Sequence, residues 1–349
     1  MRANEIRRIP TQQLVAREYP NFKATKILSV LDLLAWKSPL ILKGPKGAGK
    51  TLNLEQWAFT RKVPFLRKSC TADTSDRQLL GANTLKSFTE SYFVLGALSA
   101  AIDVANEAGR CLLVLEEINA LNEESQKAVN SIADYRREVD LPHVGQVFRL
   151  AEAVVARGDG RVVELEPMSE YRVNLVVASD SEDAALEAEV PVVLLRPGLK
   201  VGDPVRAGQI LADRPQLWVV GTMNPGYGGT YDLNEDFRSR FKFIELDYMD
   251  DETEKEILLG KFPTKPTAEE SLFVSDLRTL AKETRGGKYG YGLSTRDLEQ
   301  VVEDYLAFHA KDLALKMLEG KFDAQHVDNL RARVKSTFKI DLTTVSLWR

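Results

Sequence analysis

Eight consecutive residues, Gly44-Pro45-Lys46-Gly47-Ala48-Gly49-Lys50-Thr51, match the pattern GxxxxGK[ST] in full. Such a run binds phosphate when it follows a strand and opens a helix. Its glycines let backbone N–H groups turn inward around anionic oxygens, and the helix N-terminus adds partial positive charge. Here the apolar residues 40–42 precede it and Leu52-Asn53-Leu54-Glu55 continue it as a helix. Lys50 is then placed to reach the β- and γ-phosphates and Thr51 to offer a hydroxyl to Mg²⁺, with Gly44 to Leu52 as the expected nucleotide contact. The loop reads phosphates and no base, so ATP is favoured and GTP stays open.

A second group able to do chemistry closes the apolar run 111–115, which ends in Glu116-Glu117. A carboxylate at a buried strand end can hold a water of a Mg²⁺ shell, the role expected of Glu116. Its neighbour Glu117 can orient and deprotonate an attacking water.

Positioning these groups requires a sheet. Residues 40–42, 63–66, 111–115 and 217–221 are continuous apolar runs, and 241–246 adds a fifth. Continuous rather than alternating hydrophobicity suits strands covered on both faces. Helical patterns at 52–62 and 123–137 lie between them, so the order is βαβα and the class α/β with a parallel sheet. From 153 to 213 the text changes to short valine-rich runs and turn formers. Asp159-Gly160 between Val154-Val155 and Val162-Val163 predicts a hairpin, and 192–195 and 197–205 predict further strands. After Asp250, residues 252–261, 272–284, 295–311 and 324–337 carry apolar positions at helical spacing, as a helical lid would. The expected division is 1–143 and 216–250 for the α/β core, 144–215 for a β-rich insert, and 251–349 for the lid.

Composition narrows the partners. Forty-seven Lys and Arg against 51 Asp and Glu give a net charge of -4, no whole-protein field that would hold nucleic acid, although a local basic patch remains open. Charge-free stretches such as 91–102 are too short to cross a bilayer, and the first residues have no apolar signal core, so a cytoplasmic protein is expected. Cys70 and Cys111 lie in or beside apolar runs as expected buried thiols, and His143, His309 and His326 have no ligand-spaced neighbours.

Taken together, the phosphate loop and the stretch from Gly96-Ala97-Leu98 through Leu112-Leu113-Val114-Leu115-Glu116-Glu117-Ile118-Asn119-Ala120 to Gln126 resemble the AAA+ superfamily, within it the MoxR and dynein-related branch. Val219-Val220-Gly221-Thr222-Met223-Asn224-Pro225 is similar to that branch's sensor 1 strand, which implies that Asn224 feels the γ-phosphate and attacking water. Asn234-Glu235-Asp236-Phe237-Arg238-Ser239-Arg240-Phe241 resembles the segment bearing the arginine finger; the role falls on Arg240 first, with Arg238 as second candidate. Gly292-Leu293-Ser294-Thr295-Arg296 looks like sensor 2, so Arg296 would report the γ-phosphate from the lid. Alone, Asn224 would read as a turn residue before Pro225 and the arginines as surface charges; their order after two motifs gives them these roles. The resemblance implies hydrolysis of ATP with Mg²⁺, a homo-oligomeric, hexameric ring, and a protein client that it remodels.

Two features depart from the branch. Glu116 stands where Asp is usual, one methylene longer. The β-rich insert precedes sensor 1, and residues 191–213 with 154–160 resemble a barrel-sandwich hybrid, most closely the module in the β subunit of bacterial RNA polymerase. No Met-Lys-Met marks a carried cofactor, so the insert is expected to dock a client. Two other readings stay open: a nucleotide-switched module on nucleic acid or a transcription complex, and an ATP-bound scaffold that hydrolyses slowly. Tyr92-Phe93-Val94-Leu95 falls in the helix-2 insert region of the branch and reads equally as a client contact or as core.

Overall fold

A computed structural model describes residues 5–7, 15–19, 22–23, 26–85, 91–141, 145–156, 158–169, 172–178, 186–191, 196, 198–200, 202–225 and 231–346. The described residues fall into two compact units. One holds the chain up to residue 18 with 26–43 and 51–244; the other holds 19–25, 44–50 and the chain from 245.

The first unit is built on a five-stranded sheet. Its strands are β1 (Leu40–Lys43), β2 (Phe65–Ser69), β3 (Arg110–Glu116), β4 (Gln216–Met223) and β5 (Lys242–Glu245), in spatial order β5-β1-β4-β3-β2. The pairs β1/β4, β4/β3 and β3/β2 are parallel, with Val220 opposite Leu40, Gly221 opposite Leu115 and Ser69 opposite Glu116. Ile41, Leu113, Leu115 and Val219 are fully buried, which is why these runs are apolar without alternation.

The helices of this unit are α1 (Lys26–Leu34), α2 (Lys50–Arg61), α3 (Asp76–Leu79), α4 (Ala97–Ala108), α5 (Glu123–Ala133) and α6 (Glu235–Arg240). Helix α4 is alanine-rich and packs against β3 and β4. Its Asn106 also clamps the antiparallel hairpin Glu138–Leu141/Gln146–Arg149, donating to Arg149 O at 3.0 Å and accepting from Ala151 N at 2.9 Å. Helix α5 ends four residues before the expected 137, because Asp134 turns to extended backbone. The segment 92–95 is strand: Phe93 and Leu95 point into the core while Val94 is exposed. It pairs with Gly81–Leu85 and, in parallel, with Glu5–Arg7.

The β-rich stretch forms a four-stranded sheet, Leu186–Pro191, Arg172–Ala178, Gly160–Ser169 and Pro204–Val205 in that order, and a pair, Ile210–Ala212 with Val154–Val155. The hairpin expected across Asp159-Gly160 does not form. Ala156 instead exchanges backbone hydrogen bonds with Gln209 O and Gly208 N at 2.8 Å each, and the Asp159 carboxylate accepts from Ala207 N at 2.9 Å. Val154-Val155 thereby pairs with Ile210–Ala212, and Val162 pairs with Val177 and bonds Gly202 and Asp203, rather than the two runs with each other. The strand expected at 192–195 lies outside the described residues, as do Arg157, Pro197 and Val201.

The second unit is helical: α7 (Asp251–Leu259), α8 (Ala268–Glu283), α9 (Thr295–Phe308), α10 (Lys311–Leu318) and α11 (Ala324–Phe338) close over a core that includes Leu258, Phe273, Leu277, Leu298, Val302, Leu315 and Val334. Capping boxes start α8 (Thr267 with Glu270) and α9 (Ser294 with Asp297). The pattern 295–311 predicts one helix, whereas α9 stops at Phe308. His309 takes the left-handed conformation, φ 50°, its N–H closes on Tyr305 O, and α10 starts afresh. Among the described residues no helix is long and apolar enough to cross a membrane.

Candidate functional site

Within the second unit the phosphate loop is wound tightly. Gly47 and Gly49 have φ of 78° and 77°, conformations that L side chains rarely adopt. At Gly44 an added Cβ would stand 2.1 Å from Leu246 O, and at Gly47 it would stand 2.5 Å from Ser294 Oγ. Pro45 is half-buried, Lys46 exposed and Ala48 buried. Lys50 is buried, and its ammonium donates to Gly44 O and Pro45 O at 2.7 Å each. Ser294, which abuts Gly47, is the N-cap of α9, and Arg296 lies two residues further on, exposed and near enough to Tyr291 to act on its hydroxyl. Asp297 anchors that helix start. Burial alone would raise its pKa, but hydrogen bonds from Lys321 and Ser294 outweigh burial and hold it low.

Within the first unit, α2 carries Thr51 and the half-buried Leu52. Thr51 Oγ1 donates to Glu116 Oε1 at 2.7 Å, and the other oxygen of Glu116 faces Arg67 Nε at 3.6 Å. Glu117 follows at the turn after β3 in the left-handed conformation, φ 54° and ψ 45°. For a non-glycine residue this costs about 1–2 kcal/mol, and strain of this kind gathers at functional positions. The turn is held by Glu117 N–H donating to Thr222 Oγ1 at 3.3 Å. The side chain is held by Asn224 Nδ2, which donates to Glu117 Oε1 at 3.3 Å. Asn119, buried, donates from Nδ2 to Asn224 O at 3.2 Å, and its backbone carbonyl accepts from Tyr231 N at 2.8 Å, so the residue holds both Asn224 and Tyr231. The electrostatics register at Cys70, whose thiol is pushed up to about 12 by burial, with Glu116 and Glu117 adding and Lys68 opposing.

The two arginines of α6 differ. Arg240 is half-buried, its guanidinium 3.5 Å from Asp134 Oδ2 and 3.1 Å from Asp236 Oδ1. Arg238 is exposed and has no side-chain partner among the described residues. The sequence reading missed Thr222, Arg67 and Asn130, which bonds Asp236 at 2.7 Å. Thr222 could have been found by strand alternation, because it stands two residues before Asn224 and shares its face. Arg67 had no such signal: an arginine on an edge strand looks like any solvated charge.

Residues 39–241, more than half of the chain, match the family model for the AAA domain of the dynein-related subfamily. An uncharacterized protein of Staphylococcus epidermidis (strain ATCC 12228) is 24% identical over 275 residues, 77% of this chain and 80% of its own. Another from Staphylococcus aureus (strain bovine RF122) is 23% identical over 273 residues with the same shares. Among solved structures, one described as a candidate ATPase from Cytophaga hutchinsonii covers 87% of this chain and 78% of its own at 15% identity and a TM-score of 0.37. NtrX from Brucella abortus covers 82% of this chain and 50% of its own at 12% identity and a TM-score of 0.44. With its phosphate loop, acidic strand end and α/β core, the chain belongs to the AAA domain family, dynein-related subfamily, whose members bind nucleotide.

Proposed function

We propose that the protein is a ring-forming ATPase of the MoxR-like branch that couples ATP hydrolysis at subunit interfaces to remodelling of a protein client. The observation that carries this reading is the pairing of two contacts at the end of β3: Thr51 Oγ1 on Glu116 at 2.7 Å, and Asn224 Nδ2 on Glu117 at 3.3 Å.

The first contact fits Mg²⁺. An octahedral ion with bonds of about 2.0–2.1 Å has adjacent ligand oxygens about 2.9 Å apart, and it takes one or two protein oxygens and completes its shell with water and phosphate. Thr51 and Glu116 would hold the ion, which when bound supplies charge neutralisation at the phosphates. Glu117 orients and deprotonates water, and Asn224 fixes the carboxylate for that task. Lys50 exchanges the carbonyls of Gly44 and Pro45 for β- and γ-phosphate oxygens, to which backbone N–H groups of the glycine-rich loop would also donate. Arg296 reports the γ-phosphate from the lid. Arg238 supplies charge to the neighbouring subunit's nucleotide, favoured over Arg240 because Arg240 is already engaged by Asp134 and Asp236. The β-rich insert, 144–215, is the docking element for the client.

The test is steady-state phosphate release over a protein concentration series, with ATP and GTP compared and Glu117→Gln beside the parent. Release that rises more than linearly with protein and is lost in the variant supports the reading. Background release at every concentration, with nucleotide still bound, overturns it.

A further inference from the structure

Helix α5 carries Gln126 and Asn130 four apart, and Asp134, four further on, is its C-cap. At 3.6 residues per turn such spacing keeps them on one face. Each meets a successive part of α6. Gln126 Oε1 accepts from the N–H of Asn234, the α6 N-cap, at 3.2 Å. Asn130 Nδ2 donates to Asp236 Oδ2 at 2.7 Å, and Asp134 Oδ2 faces the Arg240 guanidinium at 3.5 Å. The lower end of this series is tied to the turn of Glu117. Gln126 Nε2 donates to Leu121 O at 3.0 Å, and Asn119, two residues before Leu121, holds Asn224 and Tyr231.

Helix α6 also has an apolar anchor, Phe237, in one core with Val129 and Ile132 of α5. Phe237 is fully buried and its ring stacks on Phe241 at 4.8 Å, an apolar anchor for α6. Gln126 is fully buried and Asn130 nearly so, while Asn130 Oδ1 and Arg240 Nε are buried without partners among the described residues. A buried unmade hydrogen bond is a standing cost, and leucines on that face would serve stability better. What the polar series adds is register: an apolar contact tolerates sliding, whereas rungs of fixed length hold α6 at one height and rotation along α5.

We infer that Gln126, Asn130 and Asp134 form a positioning ladder that sets the arginine helix α6 relative to the turn of Glu117, so that the arginine a subunit offers its neighbour is controlled from its own nucleotide site. The inference rests on the interfacial ATPase reading above. None of the three need touch nucleotide; they act through α6.

The test uses mixed assemblies of the full chain. Asn130→Leu leaves the subunit's own Glu117 and phosphate loop in place but disorders its arginine, so alone it should release phosphate about tenfold more slowly or worse, with KM for ATP little changed. Glu117→Gln has the reverse defect, a dead site with a sound arginine. Mixed one to one, the two should release phosphate several-fold faster than the sum of each alone, as Arg238→Ala mixed with Glu117→Gln should. Wild-type turnover in Asn130→Leu, or its failure to be complemented where Arg238→Ala is complemented, overturns the ladder. A parent protein without hydrolysis, or no complementation by Arg238→Ala either, removes the underlying reading and the ladder with it. In case Asn130→Leu folds poorly, Asn130→Asp sets a carboxylate against Asp236 and should lose activity, while Asn130→Asp with Asp236→Asn restores the hydrogen bond and should regain it; no regain counts against the ladder.

Discussion

The amide of Asn224 and the carboxylate of Glu117 are hydrogen-bonded at 3.3 Å although 107 residues separate them, and the backbone of the same glutamate is fixed by Thr222. A carboxylate held at both ends of its residue is pre-aimed, as the proposed role of Glu117 as general base toward water requires. Glu117→Gln keeps the acceptor for Asn224 and removes only the charge. It should lower turnover by about 10²–10⁴-fold with nucleotide affinity retained. Asn224→Ala leaves the charge and frees the side chain, so its loss should be smaller and confined to kcat. Steady-state phosphate release beside fluorescent-nucleotide binding separates the two effects.

Gly47 allows a prediction about binding alone. Its φ of 78° and the Ser294 side chain beside it leave no room for a methyl group. Gly47→Ala should weaken nucleotide binding by about tenfold, since left-handed backbone costs an alanine about 1–2 kcal/mol. Adding Ser294→Ala removes Oγ but keeps the Cβ, which stands 2.2 Å from the added methyl group, and leaves the backbone strain, so the double variant should recover little binding. Equilibrium titration with labelled ATP checks both.

How much of this was legible in the sequence follows from which interactions are local. The phosphate loop is read from eight adjacent residues, and Glu116 and Glu117 from the strand they end. The sheet follows from runs buried on both faces. What could not be read is what depends on distant pairing. Val154-Val155 and Val162-Val163 flank a good turn, yet each run pairs elsewhere, because a turn signal fixes only the local backbone and burial chooses the partner. The fates of Arg238 and Arg240 were likewise beyond sequence, since Asp134 lies 106 residues before Arg240 and meets it only through the packing of α5 on α6. Asn130 could have been suspected as a polar residue four after Gln126 on a helix with an apolar face.

The thiols report the buried sheet and the acidic site. Cys70 and Cys111 are buried and unpaired, and burial raises both, Cys70 to about 12 with help from Glu116 and Glu117. At pH 8 the thiolate fraction of Cys70 is on the order of 10⁻⁴. Iodoacetamide should therefore modify neither thiol in the folded protein and both in guanidinium, as read by mass spectrometry. An unfolded thiol loses its proton near its ordinary value of 9.0 while folded Cys70 keeps it to about 12, so the unfolded state binds fewer protons in that window and stability falls as pH rises through it. Cys70→Ala should flatten part of the decline in urea midpoint between pH 9 and 12.

The arginines of α6 should separate by their effect on the isolated fold. Arg240 bridges Asp134 and Asp236, so Arg240→Ala leaves two carboxylates facing each other without a cation and should lower stability by about 1 kcal/mol or more as well as turnover. Arg238 is exposed and makes no such bridge, so Arg238→Ala should leave the melting temperature unchanged. If Arg238 acts on a neighbour, its loss should remove the concentration-dependent part of phosphate release and spare nucleotide binding. Thermal melts and phosphate release at low and high protein concentration check each variant. Unchanged turnover in Arg238→Ala with lost turnover in Arg240→Ala would assign the trans-acting charge to Arg240, which would then have to leave Asp134 and Asp236 on assembly.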